Sequence, residues 1–167
     1  MPDHPNVVSE KEPEWGESSH GEKFGYRRKA LSQATGGEKL GCSLYEVEPG
    51  RRAWPFHYHA ANEEAIYILE GSGTLRIGEE DVPISKGDYA TFLSAREEGA
   101  HQLVNTSNSM LRYLCFSTMI EPDVMVYPDS GKIGVLVGAA PGGLKEKRTL
   151  SKFLRGDAEV DYYKGEE

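Results

Sequence analysis

From Leu40 onward, apolar and polar residues alternate every second position in short segments, and glycines such as Gly71 and Gly87 separate them. Successive side chains of a β-strand point to opposite faces, so each segment predicts a strand with one buried face. No helical period longer than two turns occurs before residue 143, which disfavours a helix-rich or βαβ fold. We therefore expect an all-β barrel or sandwich. The predicted strands are 40–47, 64–69, 74–77, 89–93, 101–105 and 110–119.

Two histidines one residue apart, His57 and His59, stand out within this pattern. On a strand they project to the same face, so both imidazoles can reach one point. Glu64 follows after the connection 60–62 and opens the next predicted strand, where an antiparallel neighbour would bring its carboxylate beside the pair. Two imidazoles and a carboxylate form a facial set that holds Fe(II) or a similar divalent ion and leaves coordination positions open.

A third imidazole, His101, begins another alternating segment that runs to Asn105. A lone histidine among aromatic residues is usually a hydrogen-bonded structural residue, and His57 or His59 alone would be interpreted in that way. The joint spacing of His57, His59, Glu64 and Gly71 favours metal ligands instead, because composition alone rarely produces it.

These residues resemble the two sequence motifs of the cupin superfamily. The first motif has a glycine, an HxH pair, a glutamate after three or four residues, and a second glycine after six. The second motif has a glycine, then a histidine, and an asparagine after three more residues. The matching residues are Gly50, His57, His59, Glu64 and Gly71 for the first motif, and Gly87, His101 and Asn105 for the second.

The resemblance implies a small double-stranded β-helix, or jelly-roll, barrel with extended N- and C-terminal flanks. It implies that His57, His59, Glu64 and His101 bind one divalent metal ion per chain, and that the chain forms a homodimer. Fe, Mn, Ni and Zn all remain possible. Departures from the motifs lie before His101, where Leu93 replaces an expected proline and residues 94–99 are inserted. The segment 123–134 also resembles uncharacterised small cupins described as sugar-phosphate isomerase-like.

Charge and patterning divide the chain into three parts. Residues 1–22 are polar, contain three prolines and lack a hydrophobic period, which predicts a flexible arm. Residues 23–143 are assigned to one barrel domain with its motif core at 40–119. Residues 144–167 form a C-terminal flank, in which 145–154 is expected to be a short helix or an edge strand. We expect the flanks to cover the barrel edges or to contact a dimer partner.

Composition narrows the classes of partner. The chain has 167 residues and a formal charge of −8, so it offers no cationic field to nucleic acid or to an anionic membrane. No apolar stretch approaches the roughly 20 residues of a bilayer span, and the N-terminus lacks the apolar core of a signal peptide. We therefore expect a cytoplasmic protein whose partner is a small molecule. Cys42 and Cys115 are predicted to be buried free thiols.

Two chemistries are compatible with such a metal site. A divalent ion held by three neutral imidazoles and one carboxylate keeps a positive charge, so it could support a dioxygenase with Fe(II) or Lewis-acid isomerisation with another metal. A non-catalytic binding or sensor protein with a structural metal is the third hypothesis. Glu63, Tyr67 and Tyr45 are candidates for a general base, but the sequence assigns no catalytic residue. Inward cations for a phosphate group could come from Arg52, Arg76 or Arg112.

Overall fold

The computed structural model describes residues 4–166, which form a β-rich domain. One short helix, α1 (Leu31–Ala34), and three 3₁₀ turns, Glu97–Gly99, Pro128–Ser130 and Lys145–Lys147, interrupt the strands. The strands are β1 (Gly16–His20), β2 (Phe24–Ala30), β3 (Leu40–Val47), β4 (Tyr58–His59), β5 (Glu64–Glu70), β6 (Ser72–Ile77), β7 (Glu80–Ser85), β8 (Tyr89–Phe92), β9 (His101–Val104), β10 (Leu111–Thr118), β11 (Asp123–Tyr127), β12 (Lys132–Val137) and β13 (Leu150–Arg155).

The strands form two facing layers. The first is a six-stranded antiparallel sheet in the order β1-β2-β3-β10-β5-β8. The second consists of a four-stranded sheet, β13-β12-β11-β4, and a three-stranded sheet, β7-β6-β9. A bridge between His57, which directly precedes β4, and His101 on β9 joins these two sheets. The prediction of an all-β jelly-roll barrel is thus confirmed.

The core lies between the layers and follows the predicted two-residue alternation. In β5, Ile66 and Ile68 are buried while Tyr67 between them is exposed. Leu111 on β10 is fully buried, and β10 pairs with both β3 and β5 at the centre of the large sheet. Burying one such aliphatic side chain contributes about 1.5–3 kcal/mol, so these positions hold the two layers together.

Gly71 ends β5 and connects it to β6 with a backbone that other residues avoid. Its φ angle is +82°, and a Cβ at this position would collide with the carbonyl oxygen of Met110. Only glycine meets both requirements without strain. This motif glycine therefore fixes the turn that follows the strand carrying Glu64.

The flanks carry more regular structure than the sequence pattern indicates. Gly16–His20, within the segment predicted to be a flexible arm, pairs along its length with β2. In the C-terminal segment a short helix or an edge strand was expected, and Leu150–Arg155 forms an edge strand. A 3₁₀ turn, Lys145–Lys147, precedes it. Residues 1–3 and 167 of the predicted flanks lie outside the described residues. None of the helices within residues 4–166 is long and apolar enough to cross a membrane.

Candidate metal centre

The predicted ligands meet between the two layers, although one step of the sequence prediction is wrong. The prediction placed Glu64 on the antiparallel neighbour of the histidine strand, whereas β4 pairs with β11 and β5 pairs with β10 and β8. The connection 60–62 crosses from one layer to the other, and the buried Asn62 fixes it. Its amide donates to the carbonyl of Ile120 at 2.9 Å, and its Oδ1 accepts from the Ile120 N–H at 2.8 Å. Glu64 therefore faces the histidines across the barrel interior.

The three imidazoles converge on one carboxylate oxygen. Glu64 Oε2 lies 3.9 Å from Nε2 of His57, 3.3 Å from Nε2 of His59 and 3.3 Å from Nε2 of His101. The potential ligand atoms of His57, His59 and Glu64 all lie within 4.8 Å of one another, so these three form a possible metal-binding group. His101 is joined to His57 by a pair of backbone hydrogen bonds of 3.2 and 2.8 Å.

Each of the three histidines has its other ring nitrogen engaged by an acceptor. Nδ1 of His57 lies 2.8 Å from the Pro55 carbonyl, and Nδ1 of His101 lies 3.0 Å from the Gly99 carbonyl. Such acceptors hold a proton on Nδ1, so in the neutral ring the lone pair is on Nε2, which is directed into the site. Nε2 of His59 is buried and has no hydrogen-bond partner within residues 4–166. A divalent ion fits this donor set and would satisfy that atom.

Asp123 is the residue that the sequence reasoning missed. It begins β11, is fully buried, and its Oδ2 accepts a hydrogen bond from Nδ1 of His59 at 2.6 Å. Its Oδ1 accepts the Ala61 N–H at 3.0 Å. A carboxylate behind a metal-binding histidine fixes the ring and raises its basicity. The one signal in the sequence is that Asp123 opens the alternating segment 123–127. An acidic residue at the start of a strand is ordinarily expected to be exposed, so this signal does not by itself indicate a buried carboxylate.

The electrostatics of the ligand cluster keep the Glu64 carboxylate negatively charged. Burial and the neighbouring His101 lower the pKa of His57 to about 3, so this ring is neutral at physiological pH. Burial also disfavours a charged His59, but the Glu64 carboxylate and the Asp123 hydrogen bond outweigh it and raise the pKa of His59 to about 10. The histidines hold the pKa of the Glu64 carboxyl well below its usual range despite burial. Glu64 is therefore ionised and available as an anionic ligand.

A cavity of about 470 Å³ opens from the ligand cluster toward the flanking segments. Aromatic rings support the ligands: Phe92 stacks on His101 with ring centroids 3.6 Å apart, and Tyr127 stacks on His57 at 5.7 Å. Tyr45 and Tyr113 stack on each other at 5.2 Å in the cavity wall. Burial raises the pKa of both phenols well above the ordinary value, so they remain protonated and can donate hydrogen bonds.

Most of the other residues considered for catalysis or anion binding lie elsewhere. Tyr45 is in the cavity wall, but Tyr67 is 39% exposed and Glu63 is exposed at the start of β5. Among the residues described, the cavity lining includes none of Arg52, Arg76 and Arg112. Arg76 lies over the Phe56 ring and pairs with Asp129 at 2.8 Å, while Arg112 pairs with Glu46 and Glu10. The cations that do line the cavity are Arg28, Lys145 and Arg148.

The inserted loop 94–99 helps to position the histidines. The Ala95 N–H donates to the His59 carbonyl at 2.8 Å, and the Gly99 carbonyl accepts from His101. Its charged residues Arg96, Glu97 and Glu98 are exposed, as expected for a solvated turn. The departure from the family motif therefore lies in a loop that contacts two of the ligands through its backbone.

Comparison with known proteins agrees with this fold and site. The cupin domain family matches residues 43–117, which include all four predicted ligands. No curated protein sequence matches the chain. Residues 43–117 therefore form a cupin domain.

Two solved structures resemble almost the whole chain, and a third resembles about two thirds of it. A protein from Acidithiobacillus ferrooxidans assigned as a sugar phosphate isomerase superposes with a TM-score of 0.76 at 24% identity, covering 93% of this chain and 96% of that one. A cupin-superfamily sugar phosphate isomerase from Silicibacter pomeroyi gives a TM-score of 0.75 at 22% identity, covering 91% and 94%. A Thermotoga maritima protein assigned as an oxalate decarboxylase gives 0.59 at 26% identity, covering 68% and 99%. The first two structures share the fold of this chain in its flanking segments as well as in the barrel.

Proposed function

We propose that this cupin is an enzyme that binds one divalent metal ion through His57, His59, Glu64 and His101. The observation that carries the proposal is the convergence of three Nε2 atoms on one Glu64 oxygen at 3.3 to 3.9 Å. All three Nδ1 atoms face acceptors, so each ring is held in the tautomer that ligates through Nε2.

The substrate class follows from the charge and chemistry of the cavity. A bound divalent ion would supply Lewis-acid polarisation of a substrate carbonyl. The lining adds three cations and protonated phenols, and its one carboxylate among the described lining residues is Glu64. This environment favours a small anionic compound that carries a hydroxyl group beside a carbonyl.

The phenols favour isomerase-type chemistry over the alternatives. Moving a proton between neighbouring carbons of a hydroxy-carbonyl compound places negative charge on oxygen. The hydroxyls of Tyr45 and Tyr113 stay protonated in the buried wall, so they can donate hydrogen bonds to that oxygen. Donors that are already in place at buried positions stabilise such charge more than they would in bulk water.

Deuterium exchange tests the reaction without knowledge of the natural substrate. Protein loaded separately with Mn, Fe, Ni or Zn is incubated in D₂O with phosphorylated or carboxylated hydroxy-aldehydes and hydroxy-ketones, and ¹H NMR follows the carbon next to the carbonyl. We expect exchange with wild-type protein and with His20→Ala, whose side chain is exposed on β1, and none with His57→Ala.

Other outcomes would contradict the proposal in distinct ways. Substrate-dependent oxygen consumption by the iron-loaded protein, without exchange, would indicate a dioxygenase. Tight binding of a compound without exchange or oxygen uptake would indicate a sensor or storage protein. Exchange that persists in His57→Ala would show that the metal cluster is not involved.

A further inference from the structure

Two arginines near the cavity differ from most others in having no acidic partner. Arg27, Arg51, Arg76, Arg112 and Arg155 each form an ion pair within 4.0 Å. Arg28 and Arg148 are partly buried and line the cavity, yet no carboxylate in the described range 4–166 comes within that distance. In a chain with 27 acidic residues and 19 basic ones, unpaired and partly buried guanidinium groups indicate a place for an external anion.

Both guanidinium groups are anchored to one short segment of the C-terminal region. Arg28 donates from Nη2 to the Gly142 carbonyl at 3.2 Å and from Nε to Ser43 Oγ at 3.0 Å. Arg148 donates from Nη2 to the Ala140 carbonyl at 3.1 Å and from Nε to the Ala139 carbonyl at 3.4 Å. These bonds hold both guanidinium groups against residues 139–142.

Each anchored guanidinium still has donors to offer. A guanidinium carries five N–H bonds, and in the described structure neither Nη1 atom has a hydrogen-bond partner. Lys145 lies in the adjoining 3₁₀ turn, is exposed and lines the same cavity. Fixed Nη1 groups beside a mobile ammonium match the oxygens of a phosphate or a carboxylate.

The other side chains that line the cavity explain why an anion would be selected there. Glu64 is the one carboxylate among the described residues that line the cavity, and as a metal ligand its charge would be offset by the ion. The neutral side chains of Tyr26 and Trp54 line the same cavity and pack on each other with ring centroids 4.7 Å apart. A substrate with its reactive end at the metal would thus direct its charged end toward β2 and the C-terminal segment.

We propose that Arg28, Lys145 and Arg148 form an oxyanion-binding subsite that recognises the phosphate or carboxylate group of the substrate. The assignment rests on the proposed function for the identity of the substrate, but the binding of a simple oxyanion can be measured independently. It gives segments outside the motif core 40–119 a role in specificity, because β2 and residues 139–148 build the subsite.

Isothermal titration with inorganic phosphate, and in parallel with acetate, tests the subsite directly. Charge-assisted hydrogen bonds from these groups should make Lys145→Met and Arg148→Gln each bind the preferred anion about tenfold more weakly, and Arg28→Gln likewise. Lys147→Met is the matched control, because Lys147 is exposed in the same turn and does not line the cavity. Preference for phosphate would indicate a phosphorylated substrate, and preference for acetate a carboxylated one.

Titration of His57→Ala separates the subsite from the metal. Phosphate or acetate should bind this variant nearly as well as wild type, since the cations remain. Binding that is lost in His57→Ala but unchanged in the Lys145 and Arg148 variants would place the anion on the metal and overturn the subsite. Absence of binding by either anion at millimolar concentration would also overturn it. Intact anion binding without deuterium exchange would contradict the proposed reaction alone.

Discussion

Replacing Asp123 with asparagine should weaken metal binding even though it changes neither the size of the side chain nor a ligand. Asp123 accepts two hydrogen bonds, one from Nδ1–H of His59 at 2.6 Å and one from the Ala61 N–H at 3.0 Å. Both carboxylate oxygens serve as acceptors. Asparagine has one acceptor oxygen and one NH₂ donor, so it cannot accept both bonds.

Either orientation of the asparagine has a cost that can be stated. With its oxygen toward His59, its NH₂ group faces the Ala61 N–H and leaves a buried donor unpaired, which costs about 1–3 kcal/mol. With its NH₂ toward His59, Nδ1 must become the acceptor and the proton moves to Nε2, the atom needed by the metal. Loss of such a supporting carboxylate lowers metal affinity about 10- to 100-fold, or about 1.4–2.8 kcal/mol.

Competition with a chromophoric chelator measures this affinity for Zn²⁺ and Co²⁺. Asp129→Asn provides the control, since Asp129 is an exposed partner of Arg76 on the barrel surface. We expect wild-type affinity for the control and a 10- to 100-fold loss for Asp123→Asn. An affinity for Asp123→Asn within about twofold of wild type would refute the role assigned to Asp123.

Two further predictions concern the stability of the protein. Leu111→Ala, at a fully buried position in the central strand β10, should lower the free energy of unfolding by about 2–5 kcal/mol in urea, whereas Leu150→Ala on the exposed edge strand should change it by about 0.5 kcal/mol or less. In metal-free protein, the lowered pKa of His57, about 3, means that unfolding takes up a proton between pH 6.5 and 3, so stability falls as the pH drops through this window. His57→Gln should reduce that slope by up to about 1.4 kcal/mol per pH unit, while the exposed His20→Gln should leave it unchanged; equal slopes in all three proteins would contradict the assignment.

The sequence predicted the barrel strands well because local alternation and the buried face coincide. Ile66 and Ile68 point inward, Tyr67 points outward, and the predicted segments 64–69 and 89–93 correspond to β5 and β8. Periodicity carries this information within a few residues, independently of how the strands pair. The prediction of an all-β fold therefore needed no knowledge of topology.

Strand pairing and the supporting residues of the site could not be derived in the same way. Adjacency in sequence suggested that Glu64 would pair beside His59, but the connection through Asn62 crosses between layers. Asp123 hydrogen-bonds His59 although 64 residues separate the two in the sequence, and Arg148, which lines the cavity, lies further still along the chain. No local spacing therefore links either residue to the site. Long-range packing also explains why Gly16–His20 is a strand, since β1 has no alternation of its own and depends on β2.

Metal content of protein purified without added metal tests the central claim most directly. Plasma mass spectrometry of wild type, His101→Ala and the control His20→Ala compares the intact four-residue ligand set with one that lacks a ligand. We predict about one divalent ion per chain in wild type and in His20→Ala, and a large loss in His101→Ala, whose Nε2 lies 3.3 Å from Glu64. Equal metal content and equal affinity in His101→Ala and wild type would contradict the ligand assignment.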